Sequence, residues 1–211
     1  MTRRYVRGHR GLAIVAAALF VQTSAAGAQI PRAPDSPYVA PSDQALLVFS
    51  RPPRKQVTEV TFRIVNQAGR CISVLGNGWQ TTAPIWPGTH MLLVITGTAP
   101  PAVQLLQVKV AAGKTYVIQL RERVNVKSPA EIEVLRRADQ PLETFPPAVR
   151  DRLPATPELR GCTEWVSWKE PKIQPRARQA KRNWDEASEE QRDAYTVHRN
   201  DGWTATEVRE P

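Results

Sequence analysis

Between Gln44 and Arg136 the chain is a succession of short apolar or alternating runs, each stopped by turn residues and none repeating at helical spacing. Runs of this kind cannot bury their apolar side alone and must pair as strands around a shared core. Ala45-Leu46-Leu47-Val48-Phe49 is continuously apolar and closes at Pro52-Pro53, which suits a buried strand. In 60–66, Val60, Phe62 and Ile64 point one way and Thr61, Arg63 and Val65 the other, as in a half-exposed strand. Gln67-Ala68-Gly69 turns the chain into a strand over 71–75, and Gly76-Asn77-Gly78 turns it again toward 79–83. Pro87-Gly88 precedes a β-branched run over 90–96, and 103–110 follows Pro100-Pro101. Ala112-Gly113-Lys114 joins that run as a hairpin to 115–123, where Tyr116, Ile118 and Leu120 share a face, and 131–136 offers a last weak strand. The expectation for 44–139 is an all-β, antiparallel sandwich of seven or eight strands.

The flanks have a different texture. Residues 29–43 carry four prolines and read as an extended leader. From 140 to 211 a Pro-rich linker (Pro141, Pro146, Pro147, Pro154, Pro157) gives way to a partly helical tail. One helical turn is expected over 149–153, and 176–186 is charged and helix-tolerant. Ser188-Glu189-Glu190-Gln191 has capping-box spacing and predicts a helix over 189–198. Trp184, Tyr195 and Trp203 are then either docked on the sandwich or turned toward a partner.

The N-terminus reads as an export signal spanning 1–28. Arg3, Arg4, Arg7 and Arg10 form a basic head, an apolar stretch runs from Gly11 to Val21, and Ala26-Gly27-Ala28 supplies small residues for cleavage. The stretch is shorter than the roughly 20 apolar residues of a membrane span. Arg7 follows Val6 where a twin-arginine signal wants a hydrophobic residue, so ordinary secretion is favoured, and no cysteine at the cleavage point invites a lipid anchor. The expected location is periplasmic or secreted. Removal of the signal leaves 183 of 211 residues, and the net charge falls from +9 to +5 as the four arginines leave.

Export gives meaning to Cys71 and Cys162. In an oxidising compartment an even pair forms a bridge more readily than it stays reduced, although two separate thiols remain the alternative. Basic character concentrates in 29–139, with 13 Lys/Arg against 7 Asp/Glu, while 140–211 holds 12 against 13. A modestly basic body suits acidic envelope neighbours, and solubility explains it as well. Nucleic acid is not an expected partner, because no basic run is interleaved with aromatics.

Catalytic signatures are lacking. The mature chain has two histidines, His90 and His198, and no Cys or His pair has metal-ligand spacing. There is no nucleophile elbow, phosphate loop or dinucleotide fingerprint. Glu131 and Glu133 share a strand face and read as a solvated edge. No cofactor and no enzymatic activity are expected.

Residues 44–123 resemble small bacterial envelope β-sandwich domains of unknown function, distantly PEGA-like. The resemblance rests on Ser50-Arg51-Pro52 ending a strand, Gly76 to Trp79 and Pro87 to His90. Val110 to Tyr116 (Val-Ala-Ala-Gly-Lys-Thr-Tyr) completes the set. It implies an Ig-like or PEGA-like sandwich in an envelope setting, with structural roles for the Pro-Gly and Ala-Gly-Lys turns and no catalytic residues. Many relatives are lipid-anchored, and the Trp-bearing tail lies outside the pattern.

The function expected is a non-catalytic envelope module that binds another envelope protein or a cell-wall polymer. Trp79, Trp86, Trp184, Tyr195 and Trp203 are candidate contact residues, together with Trp165 and Trp168. The reading for Trp79, Trp165 and Trp168 that needs no ligand is simple core or docking packing. A cell-wall hydrolase and a self-assembling structural protein are the alternatives. Intact-mass analysis of the exported protein should give a chain that starts at Gln29, whereas a chain retaining Met1 in the cytosol would remove the export reading.

Overall fold

Ten strands among the described residues build two sheets that face each other across one apolar core. The computed structural model describes residues 36–54, 60–97, 101–122 and 130–209, without the Leu142 side chain. The export signal, the first half of the leader and the expected strand end at Arg123 lie outside them. In chain order the strands are β1 Ala45–Ser50, β2 Phe62–Val65, β3 Cys71–Leu75, β4 Gln80–Ile85 and β5 Gly88–Thr96. Then come β6 Val103–Val110, β7 Lys114–Arg121, β8 Glu131–Leu135, β9 Thr196–Val197 and β10 Trp203–Thr204. One sheet runs β4-β1-β7, with β10 and β8 sharing the outer edge of β7; the other runs β3-β2-β5-β6-β9. Alternate residues meet between the sheets: Leu47 and Phe49 of β1, Phe62 and Ile64 of β2, Leu106 and Val108 of β6, Tyr116 and Ile118 of β7.

The sheets are mixed, which corrects the antiparallel expectation. β1 runs antiparallel to β4 but parallel to β7, and β9 runs parallel to β6. The strand order is not clearly that of an immunoglobulin-like sandwich. All six residues of β1 are buried, as suits a strand covered on both faces, and such strands read as continuous apolar runs. The period-2 pattern marks which face is inward and carries no information on direction.

The outer face of the first sheet is covered by segments from both ends of the chain. Tyr38, Phe145, Val149, Trp203 and Val208 pack there against Val48 and Val117. Phe145 meets the Trp203 ring edge-on with centroids 5.5 Å apart, and Tyr38 lies 5.8 Å on its other side. Trp203 is fully buried and its Nε1 donates to the Glu143 carbonyl at 2.9 Å. Short helices carry two of these residues: Val149 on α1 (Pro147–Arg150), a turn that starts two residues before the 149–153 expected, and Val208 on α4 (Ala205–Arg209). Polar groups under this layer are paired. Gln80 Nε2 donates to Tyr38 Oη at 2.6 Å and to the Val149 carbonyl at 2.9 Å, and Arg152 Nη2 donates to Ser50 Oγ at 2.7 Å.

The outer face of the second sheet carries α2 (Leu159–Glu186), a 28-residue helix that packs on β3 and β6. Cys162, Val166 and Ile173 point down from it onto Val65, Cys71 and Ile95. Val65 is therefore buried on the side expected to be exposed. Cys71 and Cys162 are bonded, with Cα atoms 6.0 Å apart, so the bridge reading holds over the two free thiols. The helix begins well before 176, where the charged, helix-tolerant stretch was expected to start, and it runs through Pro171 and Pro175. Both prolines are exposed, one turn apart, so the carbonyls of Ser167 and Pro171 that lose an N–H partner face water. The capping box is present: Gln191 N–H donates to Ser188 Oγ at 3.2 Å, and Ser188 N–H to Gln191 Oε1 at 2.9 Å. The helix it starts, α3 (Glu189–Asp193), stops well before 198, because Thr196 and Val197 are drawn into β9 and Val197 enters the core.

The stretch from 140 onward is thus built into both sheets and both outer layers rather than trailing from a finished sandwich. Among the described residues no helix is long and apolar enough to cross a membrane.

Two substitutions test this layering. Trp203→Ala should destabilise by about 3–5 kcal/mol in denaturant unfolding, the scale of truncating a buried aromatic. Replacing both Cys71 and Cys162 by Ser should cost about 2–4 kcal/mol. Amide exchange should then speed up first in α2, the element the bridge holds.

Candidate functional site

The cysteine bond leaves the chain without a thiol, so a Cys–His nucleophile is not available. The predicted aromatic residues separate into four groups. Trp203 is core and takes the docked alternative. Trp79, Trp86 and Trp168 are exposed at 47%, 62% and 72% and stand apart at the ends of β4 and on α2. Trp79 lies against Gly76, where a Cβ would come within 3.0 Å of its ring, and Lys169 Nζ sits 3.5 Å over the Trp168 ring. Trp165 is half-buried beneath Arg63, whose guanidinium lies 3.9 Å from the ring centroid. Burial lowers the Arg63 pKa, and its Nε meets no acceptor among the described residues, so the ring face answers part of that charge. Trp184 and Tyr195 are the pair that the fold brings together.

They line a groove of about 490 Å³ between the outer edge of β6 and the junction of α2 with α3. β6 contributes Val103, Gln104 and Leu105; α2 contributes Ala180, Asn183 and Trp184; Gln191, Arg192 and Tyr195 close the other side. Gln104 Oε1 is buried with no hydrogen-bond partner among the described residues. Arg192 is half-buried. Trp184 and Arg192 also border a smaller recess of about 260 Å³ that contains Lys109, Asp193 and His198.

An ionic network fixes this end of the chain. Arg136, just past β8, reaches Asp193 at 3.0 Å and the buried Asp201 at 3.2 Å. Asp201 Oδ2 accepts the His198 backbone N–H at 2.7 Å, and Asp193 Oδ1 lies 2.6 Å from His198 Nε2. The hydroxyl in the recess, on Thr196, donates to the Arg192 carbonyl at 2.8 Å and not to His198. Arg136 thereby ties the first sheet to the segment that carries Arg192 and Tyr195. A larger hollow of about 610 Å³ lies elsewhere along α2, floored by Val65, Leu93, Ile95 and Ile173, and has no aromatic lining. No group of three or more metal-ligating side chains occurs among the described residues.

Sequence reading found Trp184 and Tyr195 but missed Gln104, Asn183, Arg192 and the β6 edge. The spacing of Cys162, Val166, Ile173, Ala177, Ala180 and Trp184 would have revealed α2 and its buried stripe. Nothing local marks a strand edge as open. No protein-family model matches the chain, and no curated protein matches it.

Proposed function

We propose that the protein is an exported, non-catalytic module of the cell envelope that holds another envelope component in the groove between β6 and the α2–α3 junction. The observation that carries this reading is that Trp184 and Tyr195 border one hollow together with Gln104, Asn183, Gln191 and Arg192. Rigid rings provide apolar contact at little entropic cost, and a few amide and cationic groups among them fix the orientation of a ligand. The envelope setting rests on the N-terminal signal pattern and the bridged cysteines. Binding is favoured over polymer hydrolysis because the lining of the groove, among the described residues, includes no carboxylate for acid–base work.

Sedimentation of the mature protein with isolated cell-wall sacculi, and its crosslinking to envelope proteins, test the reading. Trp184→Ala should weaken capture by roughly tenfold or more, the scale of a hot-spot aromatic. Trp168→Ala, on an exposed ring away from the groove, should leave it unchanged. Equal capture by wild type and Trp184→Ala would remove the groove, and no capture of either kind by wild type would remove the binding module.

A further inference from the structure

β6 is eight residues long, and β5 pairs with it from Val110 back to Val103. On its other edge, among the described residues, β9 pairs with it at Gln107 and Val108 alone. The Gln107 N–H donates to the Tyr195 carbonyl across that edge at 3.0 Å. Backbone groups of successive strand residues point to opposite edges, so Val103 and Leu105, four and two residues before Gln107, turn their N–H and C=O the same way. The line of β9 does not continue beside them, because the chain before Tyr195 coils into α3. Where that continuation would lie is the groove, and both residues line it. A sheet edge of this kind is a template for one more strand.

We infer that the groove takes an extended peptide segment of a partner protein, which adds as a short strand to β6 at 103–105 in line with β9. The inference rests on the binding reading above and names its occupant. A glycan has donors and acceptors but not at the regular spacing of a strand edge, whereas a peptide matches that edge with its own backbone. Trp184 and Tyr195 flank the slot and provide apolar contact for side chains of the added strand. The occupant is a lone strand and not a second copy of this sandwich. The edge lies in the groove between α2 and α3, a setting that favours one extended segment over a strand with a sheet behind it.

The test selects random linear dodecapeptides displayed on phage against the mature protein, counter-selects on Trp184→Ala, and synthesises the tightest binder. Each backbone nitrogen of that peptide is then methylated in turn and the affinity measured by calorimetry. The expected result is a period-2 scan, with alternate methylations weakening binding by about tenfold or more and those between them having little effect. Exchange of the Val103 and Leu105 amides should slow on binding. A flat scan, or no slowing at those two amides, would overturn strand addition. Enrichment of no peptide, with sacculi still captured in a Trp184-dependent way, would overturn the peptide while leaving the groove, and loss of both would sink the binding reading itself. Slowing of the same amides with rising protein concentration and no peptide present would assign the edge to a second copy and overturn the inference.

Discussion

Strand β1 is buried on both faces along its whole length, and no two-layer sandwich can provide that. One face meets the inter-sheet core through Leu47 and Phe49, and the other needs a further layer over Val48. The chain supplies it from its two flanks: Tyr38 comes from before the first strand, and Phe145, Val149, Trp203 and Val208 from after the eighth. The parallel pairing of β1 with β7 belongs to the same arrangement, since β7 is likewise buried over its six central residues. The C-terminal segments are thus a requirement of the core.

The second sheet meets the same demand with a helix. α2 lays a narrow apolar stripe over Val65, Cys71 and Ile95, and the disulfide fixes its N-terminal half to β3. The remaining faces of the helix are charged and hold both prolines, which water can tolerate and a core could not. Arg63 belongs to this interface as well. It is a cation on a covered sheet face, and it stays there because the Trp165 ring accepts its charge.

The groove arises from a mismatch between these layers. β6 is an eight-residue strand flanked on its outer edge by a two-residue one, because the capping box starts α3 immediately before β9 can lengthen. What is left beside the first residues of β6 is a slot walled by Trp184 and Tyr195. Arg136 keeps the slot in shape by holding Asp193 and Asp201, one on each side of β9. A salt-bridge network thus reaches from the other sheet to the segment that walls the slot.

Much of the fold can be read along the chain. Runs of β-branched and apolar residues between Gly and Pro turns located the first eight strands to within a few residues, and 103–110 coincides with β6. Ser188 and Gln191 located a helix start, and an even pair of cysteines behind a signal-like N-terminus pointed to their bridge. These are local signals, carried by side-chain period, turn geometry and capping. Strand direction, the burial of Val65 and Trp203, the length of α2 and the open edge of β6 are not local. Each depends on which distant segment comes to lie alongside, and alternation encodes a face without naming the neighbour that covers it. Trp184 and Tyr195 were visible as aromatic residues in a tail, but only tertiary packing set them in one groove beside the first residues of β6.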